Sequence, residues 1–268
     1  MQTRVAGDFN YEALGPGYGA QRRPDPRIAA FIHEALGGAR AVLNVGAGTG
    51  SYEPDARYVL AVEPSAAMRA ARPRGAAPVI NAVAESLPLD DDSVDAAMAV
   101  ATVHQWPDLL GGLAEMRRVS RGPVVIVAFD GDALESYWLN DYAPELIAAE
   151  KRRYSPIDLI AAHVGADPRV VPIPIPLDYS DGILEAFYGR PERLLDPAVR
   201  RAQSSWGFIE SAAESRFVTD LSTDLASGRW DARHGALRTQ IAYEGSLRLI
   251  VGQKADGSYP LILDKPEL

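Results

Sequence analysis

The residues most able to do chemistry begin at a glycine turn. An apolar stretch, Val42-Leu43-Asn44-Val45, runs straight into Gly46-Ala47-Gly48-Thr49-Gly50. Glycines at the carboxyl end of a buried strand let the backbone approach a ligand closely and turn N–H groups into a crevice. Glu63 follows, at the end of the next apolar stretch. An acid there can accept hydrogen bonds from both hydroxyls of a ribose. Gly50 is followed by Ser51 and Tyr52, so the Gly-Lys-Ser/Thr ending of a P-loop is missing. The spacing is G-x-G-x-G, and Ser51 stands where a dinucleotide fingerprint has its third glycine. A nucleoside ligand without phosphate, such as an adenosyl sulfonium, needs no helix N-terminus aimed at a pyrophosphate.

Other side chains are candidates by position. His104 follows the fourth strand, as a base or substrate contact or packed under Trp106; His33 and His163 read as structural or exposed, and His234 as a weaker substrate candidate. No two histidines have metal-ligand spacing, so no metal site is expected. Trp138, Asn140, Tyr142 and Tyr179 flank the fifth and sixth strands, where aromatic faces can surround a sulfonium. Phe187, Tyr188, Trp206 and Phe208 are placed in a lid or in its own small core.

The elements that must position these groups alternate. Asp25-Pro26 caps a first helix, stopped by Gly37-Gly38. Strands are expected at 41–45, 58–62, 78–81, 94–100 and 123–129, with helices at 65–71 and 109–119 between them. Such alternation implies a parallel, doubly wound sheet. Pro172, Pro174 and Pro176 restrict 169–177 to an edge or irregular strand. The stretch 181–240 has helical patterning, and 246–252 reads as a last strand. The expected organisation is a single domain over 1–268. Its parts are a gate and first helix (1–38), a cofactor-binding core (39–135), a helical lid with strand six (136–240), and a last strand with tail (241–268).

Composition narrows the partners. The chain has 268 residues, no cysteine, and 27 basic against 36 acidic side chains, a net charge of −9. Disulfides, thiolate nucleophiles and cysteine-ligated metals are excluded. The acidic balance argues against a nucleic-acid partner, and no apolar run reaches the roughly 18 residues of a membrane span. The polar start, 1–11, does not read as a signal peptide, so a cytoplasmic monomer or homodimer is expected.

Four segments resemble the class I S-adenosylmethionine-dependent methyltransferases, most of all the type 11 group that includes ubiquinone/menaquinone- and trans-aconitate-type enzymes. They are Val42 to Gly50, Ala61-Val62-Glu63-Pro64-Ser65, Ala84 to Asp95, and His104-Gln105-Trp106 with the helix to Val119. The resemblance implies an α/β, doubly wound, mostly parallel seven-stranded Rossmann-like sheet with a helical insertion before the last strand. It implies S-adenosylmethionine as cofactor, held by Gly46, Ala47, Gly48, Gly50, Glu63, Pro64, Ala84, Glu85 and Ala101. It also implies an N-terminal closure in which Tyr18, with Tyr11, covers the cofactor and Arg23, with Arg22 next, meets its carboxylate. His104, Asn140 and Tyr179 are the expected catalytic set, and the acceptor a small molecule.

The chain departs from the family pattern at Asn44, usually acidic, and at Val83, often Asp. Methyl transfer from a sulfonium needs mainly alignment and exclusion of water, so no catalytic dyad is required. Three other readings stay open: cleavage or cyclisation of S-adenosylmethionine itself with release of methylthioadenosine, a non-catalytic cofactor sensor, and a nicotinamide oxidoreductase.

Overall fold

The structure, a computed structural model, describes residues 23–255. It opens with α1 (Pro26–Ala35). Asp25 caps it by accepting from the Arg27 N–H at 3.0 Å, and Pro26 occupies the first turn, where a missing N–H costs nothing. The sheet strands are β1 (Ala41–Val45), β2 (Tyr58–Val62), β3 (Val79–Ile80), β4 (Ala96–Val100), β5 (Val124–Phe129), β6 (Ala166–Pro172) and, last in the chain, β9 (Leu247–Gln253). Between them lie α2 (Ala66–Ala70), α3 (Leu109–Val119), α4 (Pro144–Arg153) and α5 (Ile157–Ala161).

Seven strands form one sheet in the order β3-β2-β1-β4-β5-β9-β6. The first five are parallel, and the order reverses between β1 and β4. That reversal is the switch point where ligands bind in open α/β sheets. β9 is antiparallel to both β5 and β6. Side-chain alternation divides the core. Val42, Met98, Val125, Val127 and Leu249 face α1 and the insertion. Leu43, Ala97, Val124, Ile126 and Ile250 face Leu113 and Met116 of α3 and Ile160 of α5. Strands covered on both faces must be apolar throughout, which is how β1, β4 and β5 read.

The proline-bearing strand lies at the sheet edge, as the missing N–H groups require. It ends at Pro172, however; β7 (Ile175–Pro176) leaves the sheet and pairs with β8 (Ala242–Tyr243) in a separate ribbon. The stretch 181–240 is less helical than its pattern suggests. It holds α6 (Pro197–Arg201), α7 (Ser211–Ser227) and α8 (Arg229–His234), and much of the rest is short 3₁₀ turns at 184–187, 191–195, 204–208 and 235–238. Gly189 and Pro191 follow the first of these turns and Asp196-Pro197 the second, which keeps those two short. No helix among the described residues is long and apolar enough to cross a membrane.

Candidate active site

One crevice lies beyond the carboxyl ends of β1, β2 and β4 and runs on beneath the insertion, with a volume of about 520 Å³ among the described residues. Its first half is built by the glycine loop. Gly46, Gly48 and Gly50 all have positive φ (67°, 52° and 95°), which disfavours any residue with a Cβ. A Cβ on Gly46 would stand 2.3 Å from the Thr102 hydroxyl, whereas one on Gly48 would meet nothing within 4 Å. The first glycine therefore serves packing against β4's exit, and the second keeps the ligand side open.

Glu63 stands at the end of β2, 7% exposed. Its carboxylate accepts from the Gly48 N–H and the Ser65 N–H, each at 2.8 Å. Burial pushes its carboxyl above the ordinary range, opposed by those two donors and by Arg69 and Arg72. A carboxylate offers about four acceptor positions; two are taken, and two remain for a vicinal diol.

Behind the loop, Asn44 is 2% exposed and its amide donates to Glu53 at 3.0 Å. One guanidinium nitrogen of Arg72 donates to both Glu53 oxygens, at 2.8 and 2.7 Å, and the other donates to the Gly48 carbonyl at 3.3 Å. The negative charge missing at position 44 is thus supplied by Glu53 and tied to the glycine loop through Arg72. Tyr52 joins the loop to the insertion: its hydroxyl donates to Asp181 and lies 3.0 Å from that of Tyr179. Burial first, and Asp181 second, hold this phenol far above its ordinary pKa.

The second half of the crevice is lined by His104, Phe129, Tyr154, Glu150, Glu185 and Ser246. Phe129 and Tyr154 stack at 5.0 Å, and His104 meets both edge-on, at 6.2 and 5.3 Å. Glu150 accepts from the Tyr154 hydroxyl and from Arg153. Glu185, 1% exposed, accepts from the backbone N–H and the hydroxyl of Ser246.

The sequence-based candidates divide. Gly46, Ala47, Gly48, Glu63, Pro64, Ala84, Glu85, Ala101 and His104 line the one crevice. Gly50 does not; it closes the turn through its N–H to the Ala47 carbonyl. The Glu85 carboxylate accepts from the Asp108 N–H at 3.2 Å. The His104 ring meets Phe129 and Tyr154, and Trp106 lies against the Cα of Gly112. Asn140 is outside the crevice, because its 3₁₀ turn faces α4 and its amide donates to the Glu135 carbonyl. Tyr179 is buried behind Tyr52 rather than at the surface of the crevice. Trp138 and Tyr142 belong to the insertion's own core, with Trp138 edge-on to Trp230 at 5.5 Å and Tyr142 bonded to Asp224. Arg23 is exposed and away from the lining, its carbonyl accepting from Ser180. Tyr11, Tyr18 and Arg22 fall outside the described residues. His33 holds the Tyr52 carbonyl, His163 bonds within α5's end, and His234 lies 3.3 Å from Asp141. No cluster of His, Asp and Glu suited to a metal occurs among the described residues.

Glu185, Glu150, Tyr154, Asp181 and Ser246 were not singled out by the sequence. The signal for Glu185 was its setting: an acid within the apolar run Ile183-Leu184-Glu185-Ala186-Phe187.

The family model of the methyltransferase domain matches residues 43–128. Those residues belong to the class I S-adenosylmethionine-dependent methyltransferase family. A structure from Anabaena variabilis ATCC 29413, described as that of a candidate methyltransferase from an antibiotic biosynthesis pathway, is 29% identical. It superposes with a TM-score of 0.80 over 87% of this chain and 98% of its own. The YcgJ protein of Bacillus subtilis, 18% identical, covers 87% of this chain and 99% of its own at a TM-score of 0.51, and shows the fold alone. No curated protein matches the chain.

S-adenosylmethionine is accordingly the cofactor of this methyltransferase domain. The crevice fits it. The Gly48 position has room for a ligand against the backbone, and Glu63 keeps two acceptor positions for the ribose hydroxyls. Ala84, which is buried, lines the same crevice between Val83 and Glu85.

Proposed function

We propose that the protein transfers the methyl group of S-adenosylmethionine to a small-molecule acceptor. The observation that carries this reading is the length of the crevice. It passes from Gly46, Glu63 and Ala84 on to Phe129, Tyr154 and Ser246, so a second molecule has space beyond the cofactor half. That space also speaks for transfer over self-cyclisation, for which a pocket fitted to the cofactor alone would suffice.

The cofactor, when bound, supplies a methyl group made electrophilic by its sulfonium. The chain's residues do the rest. Glu63 and the glycine loop fix the nucleoside end, and the Ala84–Glu85 segment fixes the base. His104, Phe129 and Tyr154 wall the acceptor half with rings, which excludes water and favours a cationic centre. Alignment of nucleophile and methyl then carries most of the acceleration. His104 is placed to touch the acceptor. The net charge of −9 supports an acceptor other than nucleic acid, and a protein working away from membranes.

The test combines binding and turnover. Calorimetry is expected to show adenosylhomocysteine binding that a nicotinamide dinucleotide does not compete away. Incubation with methyl-labelled cofactor and a metabolite panel is expected to label an acceptor. Methylthioadenosine forming from cofactor alone, with no labelled acceptor, would replace transfer by cleavage or cyclisation.

A further inference from the structure

Glu185 is an unusual carboxylate. It is 1% exposed, lines the crevice, and has no lysine or arginine at ion-pair distance among the described residues. Its donors are the backbone N–H of Ser246, 3.1 and 2.9 Å from its two oxygens, and the Ser246 hydroxyl. Arg248 acts on it only through space, because that guanidinium donates to Asp130 at 2.9 Å and to the Gly245 carbonyl. Buried charges are ordinarily paired, since an unpaired one costs several kcal/mol.

The rest of the lining points the same way. The acids facing the crevice are Glu63, Glu85, Asp108, Glu150, Asp181 and Glu185, and no lysine or arginine lies among the described lining residues. An acceptor carrying a carboxylate or phosphate would find no lysine or arginine counter-charge among the described lining residues. One carrying an ammonium would find Glu185 at the end of a ring-walled space formed by His104, Phe129 and Tyr154.

We infer that Glu185 is the residue that selects an amine acceptor, binding its ammonium form and taking the proton from its nitrogen. This rests on the methyl-transfer reading above. The bound ammonium first gives one proton to the Glu185 carboxylate, which frees the nitrogen lone pair. That pair forms the bond to the transferred carbon, the electron pair of the broken C–S bond stays on sulfur, and the methylated nitrogen takes over the positive charge. Ser246 is the positioning residue, holding that carboxylate through its backbone N–H and its hydroxyl. A buried carboxyl whose pKa is raised is better matched to such a proton than an exposed one.

The experiment uses benzylamine as a probe and benzoate as its charge-reversed control, titrated calorimetrically into the protein saturated with adenosylhomocysteine. Benzylammonium is expected to bind at least tenfold more tightly than benzoate. Glu185→Gln is expected to weaken it at least tenfold and Ser246→Ala by a smaller factor. Unchanged adenosylhomocysteine binding by each variant shows that it is folded; if Glu185→Gln does not fold, Ser246→Ala decides. Equal or tighter binding of benzoate, no binding of benzylammonium, or variants that bind it as the parent does would each overturn the inference. Adenosylhomocysteine that failed to bind the parent would instead refute the methyl-transfer reading. With an amine found to be methylated, Glu185→Gln is expected to lower kcat by roughly 10²-fold or more.

Discussion

Replacing Glu53 with alanine should show how the glycine loop is held. Arg72 and Glu53 are 4% and 10% exposed at their side chains, so the pair is sheltered from solvent screening. Removing one partner of a buried ion pair costs about 3–5 kcal/mol, because the other charge is left buried. Arg72 would keep only the Gly48 and Ala77 carbonyls, at 3.3 and 3.1 Å, which puts the cost near the low end of that range. The Asn44 amide loses its acceptor too, adding about 1 kcal/mol. A total of about 4 kcal/mol corresponds to a fall in Tm of roughly 8–16 °C for a chain of this size. Thermal melts of Glu53→Ala, Arg72→Ala and the double variant measure it, and the double variant should cost much less than the sum of the two. Adenosylhomocysteine affinity should fall with the singles, since Arg72 fixes the Gly48 carbonyl. A Tm loss under about 2 °C for Glu53→Ala, or single effects adding to within roughly 0.5 kcal/mol, would refute this account of the loop.

Three further predictions follow from the site. Gly46→Ala places a Cβ 2.3 Å from the Thr102 hydroxyl at a φ of 67°; it should destabilise by at least the roughly 1–2 kcal/mol of left-handed strain, and Thr102→Ala should recover part of the loss in thermal melts. Glu63→Ala removes the charged acceptor proposed for the ribose, so adenosylhomocysteine affinity measured by calorimetry should drop by roughly 10- to 100-fold at about 1.5–3 kcal/mol per charged hydrogen bond; an unchanged affinity would place the ribose elsewhere. The third concerns pH. Burial raises the folded carboxyl of Glu185 above its ordinary 4.5, against the pull of Ser246 and Arg248. The folded protein therefore holds this proton more tightly than the unfolded chain, and the group's contribution is full below pH 4.5 and lost as pH rises through the folded value. Glu185→Gln has no such loss, so the difference in Tm between variant and parent, without ligand, should move in the variant's favour as pH rises above 4.5; a difference constant with pH would contradict it.

The cofactor half of the site was legible because its residues are near one another in the chain. Gly46, Gly48 and Glu63 sit at the ends of adjacent strands, and local pattern is enough to place them. Asn44 looked like a lost charge, since the compensating Glu53 follows the turn and reaches back only after Gly50 and Tyr52 have adopted positive φ. The acceptor half resisted reading. Glu185 meets Ser246, and Tyr52 meets Asp181, only through tertiary packing of turns and loops whose sequences carry no regular period. Aromatic residues were a poor guide for the same reason: Trp138 and Tyr142 fill the insertion's core, while Phe129 and Tyr154 reach the ligand space. Prolines were a good one, because a missing N–H has a single consequence in a sheet, and 166–172 lies at its edge.

The place of β9 between β5 and β6 sets an order of assembly. β6 has no partner in the sheet except β9, and Pro172 pairs with Arg248. At synthesis rates of roughly 5–20 residues per second, β6 waits about 4–15 s for the strand that fixes it. β1 to β5 meet their parallel neighbours earlier, and with them the glycine loop and Glu63. Ser246, the residue just before β9, is the one that holds Glu185. On a nascent chain the nucleoside-binding half can therefore take shape while the acceptor half is still open, and the final strand closes the sheet and sets the buried carboxylate in one event.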